Sequence, residues 1–83
     1  MKAISYTRTA LKQLRNIDAQ AAKLIRAKIE QYAADPKSLA NQVKALKGVE
    51  ALRLRVGDYR VIFTEDGIVL LVLQVGHRRD IYE

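Results

Sequence analysis

The alternation of hydrophobic and polar positions changes period along the chain. Lys2-Ala3-Ile4-Ser5-Tyr6 alternates over too few residues to stand alone, so it predicts a short strand at a sheet edge whose partner comes from later in the sequence. Thr7 or Thr9 then caps a helix in which Ala10, Leu11, Leu14 and Ile17 recur at helical spacing. Asn16 to Asp18 interrupts that stripe, and Asp18 is the expected N-cap of a longer helix. In that helix Ala21, Ala22, Leu24, Ile25, Ile29, Tyr32 and Ala33 form one face, while Gln20, Lys23, Arg26, Lys28 and Glu30 meet water. Asp35-Pro36 ends it, because proline pushes the residue before it out of the α region. Two amphipathic helices joined by a short turn make a helical hairpin with one apolar face to bury.

From Lys37 to Gly48 neither period is clean, and the stretch reads as a basic loop with one helical turn around residues 40–43. Strand patterning then takes over. Leu52-Arg53-Leu54-Arg55-Val56 alternates strictly, Gly57-Asp58 supplies a turn, and Tyr59-Arg60-Val61-Ile62-Phe63-Thr64 is rich in β-formers. After a second turn at Glu65-Asp66-Gly67, the run from Ile68 to Val75 is apolar at almost every position, as in an interior strand covered on both faces. His77 to Glu83 forms a polar tail closed by Ile81 and Tyr82. The order strand, helix, helix, three-strand antiparallel meander predicts an α+β domain spanning residues 1–83. Its helical hairpin packs on one face of a twisted sheet.

Composition narrows the chemistry. Eighty-three residues fit one small two-layer domain and leave little volume for a deep substrate cavity. With no cysteine and a single histidine, disulfides and zinc sites drop out, so no metal and no cofactor are expected. No apolar run reaches signal-peptide or membrane-span length, and the expectation is a bacterial-type cytoplasmic protein without membrane association. The formal charge of +6 points to an anionic partner. Its distribution says more: all seven lysines lie at or before Lys47, whereas residues 51–83 carry only arginine, at 53, 55, 60, 78 and 79.

A two-residue loop at Gly57-Asp58 places Val56 opposite Tyr59, Arg55 opposite Arg60, Leu54 opposite Val61 and Arg53 opposite Ile62. Opposed residues share a face, so Arg53, Arg55 and Arg60 project to one side and the leucines and valines to the other. Like charges placed opposite each other cost up to about 1 kcal/mol, which an external anion or neighbouring carboxylates such as Asp58 and Asp80 would offset. Arginine's planar fork binds phosphate bidentately and stays charged. The segment after the last strand could return across this face with His77, Arg78 and Tyr82, and His77 is the side chain whose ordinary titration range lies near neutrality.

Leu46-Lys47-Gly48, the run from Arg53 to Phe63 and the ending Val75-Gly76-His77-Arg78-Arg79-Asp80-Ile81-Tyr82 together resemble the RelE branch of the RelE/ParE toxin superfamily. The resemblance covers the whole chain. It implies a toxin of a type II toxin–antitoxin pair, an mRNA interferase: a metal-independent, ribosome-dependent endoribonuclease that cuts mRNA in the ribosomal A site and so inhibits translation. It further implies attack of the RNA 2′-hydroxyl on the adjacent phosphate, which leaves a 2′,3′-cyclic phosphate and a 5′-hydroxyl. The implied partners are the ribosome and mRNA, a RelB-like, partly disordered antitoxin, and operator DNA only through the antitoxin complex.

By the same resemblance Arg60 and Arg78 hold and stabilise the phosphate. Arg53 stands where relatives place a lysine that assists the 2′-hydroxyl, and Tyr82 stacks on or orients a base. Arg55, Arg79, Lys44 and Lys47 are the expected additional RNA contacts. The general base is left open: Ala51 stands where relatives can carry a lysine, and Arg53 is too basic to deprotonate. His77 can serve as acid or base, or can instead hydrogen-bond the end of the sheet. Two other readings belong to different classes. One is a ParE-like gyrase inhibitor without nuclease activity, and the other is a non-catalytic basic nucleic-acid-binding module.

Overall fold

Short side chains with an oxygen at the expected positions start both helices. The computed structural model describes residues 1–80. In it β1 (Ala3–Tyr6) leads into α1 (Arg8–Arg15), whose N-cap Thr7 accepts a hydrogen bond from the Ala10 amide at 3.1 Å. Asp18 caps α2 (Ala19–Ala34) in the same way, its carboxylate accepting from the Ala21 amide at 3.1 Å. These caps satisfy amides that the first helical turn leaves without partners.

Beyond Pro36 the stretch read as a basic loop is more ordered than its sequence suggests. A 3₁₀ segment (Pro36–Gln42) is pinned by buried Leu39, and a three-residue strand, β2 (Val43–Ala45), follows. Val43, placed in a helical turn by the sequence pattern, is extended instead. It gains a ladder opposite Leu54 that the local sequence does not announce.

The meander follows as β3 (Leu52–Val56), β4 (Tyr59–Glu65) and β5 (Val69–His77), and the five strands lie in the order β1-β5-β4-β3-β2. The partner of β1 is β5, paired in parallel from Ala3 opposite Val69 to Tyr6 opposite Val72. A parallel pair needs a long crossover, which the helical hairpin and the meander provide. All other pairs are antiparallel, and the β3–β4 register is the one the Gly57-Asp58 turn dictates.

One face of this sheet carries the core. Ala10 and Leu14 of α1 and Ile25, Ile29, Tyr32 and Ala33 of α2 pack on Leu54, Val56, Val61, Phe63, Leu70, Val72 and Val75. The Tyr32 ring meets Phe63 edge-on at 5.1 Å, and its hydroxyl donates to Glu65 at 3.0 Å. Burial, with the Glu65 carboxylate beside it, pushes the Tyr32 hydroxyl up to about 12. Glu65 in turn pairs with Lys2 at 3.0 Å, which ties β1 and β4 into the layer. Phe63 is 1% exposed, and truncating such a side chain to alanine typically costs about 3–5 kcal/mol.

The apolar run of β5 is covered more unevenly than its composition predicts. Leu70, Val72 and Val75 are buried against the helices, while Val69, Leu71 and Leu73 are half-buried and Ile68 is exposed. The strand is interior, between β1 and β4, but the helical layer lies on one side of it. Its phase also shifts. Ile62 pairs with Gln74 and Phe63 with Val72, so Leu73 is the extra residue of a β-bulge. A bulge leaves the extra residue outside the ladder, and here the Thr7 hydroxyl donates to the Leu73 carbonyl at 2.9 Å. One threonine thus caps α1 and anchors the bulge.

Candidate functional site

The face opposite the helices is where the basic side chains gather. Gly57, at φ 58, takes the first turn position of the β3–β4 hairpin, and Asp58 follows at negative φ, the conformation a type II′ turn requires. That turn sets Arg55 directly opposite Arg60 and Arg53 opposite Ile62. The short strand β2 adds what the sequence pattern did not place, because Lys44 pairs opposite Arg53 and shares its face. Two rungs result, Lys44–Arg53–Ile62–Gln74 and Arg55–Arg60–Gly76, the glycine leaving the position beside Arg60 without a side chain. Ile62 is 8% exposed and lies outside the main core, an apolar floor between Arg53 and Gln74.

Arg78 reaches the same place by a different route. Its amide donates to the Asp58 carbonyl at 2.8 Å, which fastens the residue after β5 to the hairpin turn. An open groove of about 470 Å³ is lined there by Gln42, Arg55, Gly57, Asp58, Arg60 and Arg78. Three guanidiniums thus line one depression, with Arg53 and Lys44 one rung away. A guanidinium can present two parallel donors to an oxyanion such as a phosphate.

His77 goes elsewhere. It pairs with Tyr59, whose other partner is Val56, so its side chain belongs to the helix-side face and not to the face of Arg55 and Arg60. Its ring stands edge-on to Tyr59 at 5.7 Å, and its Nδ1 accepts a hydrogen bond from the Arg79 amide at 3.2 Å. With Gln13, Asn16, Asp18, Tyr59 and Arg79 it borders a second groove of about 750 Å³ at the end of α1. The cause is the bulge at Leu73. Without it, strict alternation would carry His77 to the face of Leu71 and hence of the arginines.

The expected set is therefore divided. Arg55, Arg60 and Arg78 come together, and Arg53 and Lys44 adjoin them on the same sheet face. Arg79 lies with His77 on the other side, and Lys47 is exposed in the turn between β2 and β3. Tyr82 lies outside the described residues. Two groove residues escaped the sequence reading of the site. Gln42 arrives there because the 3₁₀ segment ends beside the hairpin, for which the sequence carries no periodic signal. Asp58 was legible only as a turn residue and a possible counter-charge. Among the described residues no three His, Cys, Asp or Glu side chains are grouped to hold a metal ion, and no helix is long and apolar enough to cross a membrane.

Fold and site together define a small α+β domain with helices on one face of its sheet and an arginine-lined groove on the other. Residues 4–82 match the family model described as the ParE toxin of the type II toxin–antitoxin system parDE, and the chain belongs to this family, within the RelE/ParE superfamily of toxins. Solved structures agree in fold. RelE in the RelB–RelE antitoxin–toxin complex of Methanococcus jannaschii is 26% identical, with 95% of each chain covered and a TM-score of 0.76. The archaeal RelE–RelB complex of Pyrococcus horikoshii OT3 matches at 20% identity over 93% of this chain and 94% of the other, with a TM-score of 0.77. A YoeB/ParE toxin from Agrobacterium tumefaciens matches at 20% identity over 93% and 98%, with a TM-score of 0.73. No functionally curated protein matches the sequence.

Proposed function

We propose that this toxin is a ribosome-dependent endoribonuclease that cleaves mRNA by attack of a 2′-hydroxyl on the adjacent phosphate. The observation that carries the reading is the convergence of Arg55, Arg60 and Arg78 on one open groove. As the 2′-oxygen attacks, negative charge accumulates on the non-bridging phosphate oxygens, and fixed guanidiniums aimed at them stabilise the transition state more than the ground state. Arg60 and Arg78 take that role, and Arg55 neutralises the adjoining phosphate. Arg53 and Lys44 extend the cationic track along the strand of RNA, and Tyr82 supplies the base contact. His77, on the far face, takes the scaffold role: it receives the Arg79 amide and packs on Tyr59 next to Arg78.

A groove this open does not enclose a substrate, so positioning falls to the ribosome, which presents the mRNA in its A site. The partner that restrains the toxin is an antitoxin, and the similar RelE chains of Methanococcus jannaschii and Pyrococcus horikoshii are solved in complexes with RelB. A partly disordered antitoxin with acidic residues suits the arginine face by charge, and operator DNA is reached only through that complex. All of this takes place in the cytoplasm.

One observation favours a second reading, gyrase inhibition without nuclease activity: the matching family model is the one described by parDE. Induced expression of the toxin alone separates the two. Primer extension on a translated message is expected to give codon-phased cuts that vanish when translation initiation on that message is blocked. Intact messages with DNA damage and filamentation would overturn the nuclease reading in favour of gyrase.

A further inference from the structure

The cleavage needs a proton acceptor for the 2′-hydroxyl, and the groove's lining narrows the choice. Gln42 carries an amide, which is not a base at neutral pH, and Arg55, Arg60 and Arg78 carry guanidiniums, which do not deprotonate in proteins. Gly57 has no side chain. Among the described residues Asp58 is the one remaining lining residue, and its carboxylate is an acceptor when ionised. Resting on the nuclease reading above, the geometry points to Asp58 as the general base of the reaction.

Its placement suits that work. Asp58 is held in a two-residue turn whose neighbour Gly57 fixes the backbone at φ 58, and its carbonyl accepts the Arg78 amide at 2.8 Å. Asp58 and Arg78 are therefore joined by a single backbone hydrogen bond, and both line the same groove. His77, the other titratable candidate near the end of β5, is on the opposite face with Tyr59.

The step balances within the RNA and the protein. Asp58 takes the 2′-hydroxyl proton as the O2′–P bond forms and the P–O5′ bond breaks. The O5′ leaving group carries away the bonding pair and receives a proton from water, and the protonated carboxyl returns its proton to the hydroxide so formed. The products are a 2′,3′-cyclic phosphate and a 5′-hydroxyl, and the carboxylate is regenerated.

Asp58→Asn is the informative variant, because asparagine is as good a turn residue as aspartate and changes the basicity but hardly the shape. Single-turnover cleavage of mRNA on programmed ribosomes is measured for wild type, Asp58→Asn, Asp58→Ala and Arg60→Ala, together with ribosome binding and thermal unfolding. The expected result is a loss of about 10²–10⁴-fold in the cleavage rate of Asp58→Asn, as for removal of a general base. Ribosome binding and melting temperature stay near wild type, and added formate partly restores cleavage by Asp58→Ala. Cleavage by Asp58→Asn within a few-fold of wild type overturns the assignment. So does a loss that formate does not relieve and that tracks weaker ribosome binding or a lower melting temperature, since that marks Asp58 as a turn residue only. A wild-type protein that does not cut ribosome-bound mRNA at all overturns the nuclease reading itself, an outcome distinct from both.

Discussion

Two grooves flank the end of β5, and adjacent residues serve different ones. Arg78 joins Arg55 and Arg60 over the open face of the sheet, whereas His77 turns to the helix side, against Tyr59 and the end of α1. The first groove is lined by three arginines and one carboxylate residue. The second is bordered by amides, an aromatic pair and mixed charges, with Gln13 accepting the Val75 amide at 2.7 Å to fasten the strand to α1. The contrast teaches that neighbours in a motif are not neighbours in a site. Alternation along a strand separates consecutive side chains by the thickness of the sheet. In Gly76-His77-Arg78 the strand's alternation sets His77 on the helix side, and the turn after β5, held by the Arg78 amide on the Asp58 carbonyl, brings Arg78 to the other groove.

The sharpest way to break that contrast is to remove a cation from the first groove. Arg60→Ala is expected to reduce single-turnover cleavage by about 10²–10³-fold, the scale for losing one donor to a developing oxyanion. Its melting temperature should change little, because Arg60 is outside the helix-side core. A cleavage rate near wild type would remove the groove from the chemistry.

A smaller effect tests what holds the two faces apart. Thr7→Val deletes both the cap on α1 and the hydroxyl bond to the bulged Leu73, and should destabilise the protein by about 1–2 kcal/mol. Amide exchange in the bulge around Leu73 should rise with it. Unaltered exchange there would mean that the bulge is set by the sheet alone.

The smallest effect on activity is expected on the far side. His77→Ala should cut ribosome-bound mRNA within a few-fold of wild type while losing up to about 0.5–1.5 kcal/mol of stability with its aromatic pair. A loss of cleavage comparable to that of Arg60→Ala, without unfolding, would bring the histidine back into the reaction and make the two grooves one functional unit.

Much of the fold was legible because its signals are local. Thr7 and Asp18 mark helix starts by side-chain chemistry, and Gly57-Asp58 with alternating flanks sets a hairpin register to the residue. A one-residue slip there would bury arginine and expose leucine, so the pattern permits no neighbouring register. The arginine pair 55–60 was readable for the same reason. By contrast, β2 is three residues long and owes its form to pairing with β3, so it has no period of its own to read. The phase of β5 was hidden because an apolar residue at nearly every position fits either face.

The sequence by itself thus determined the helices, the hairpin, its register and the arginines on one side of it, all through contacts between residues close along the chain. Only the tertiary structure decided that Lys44 joins Arg53, that Arg78 is drawn to the Asp58 carbonyl, and that His77 faces the helices. Those outcomes depend on hydrogen bonds between segments far apart in sequence, above all the bulge at Leu73 anchored by Thr7 from 66 residues away. A single extra residue in one strand exchanges the two faces for everything after it, and no periodicity in the strand itself records where that residue falls.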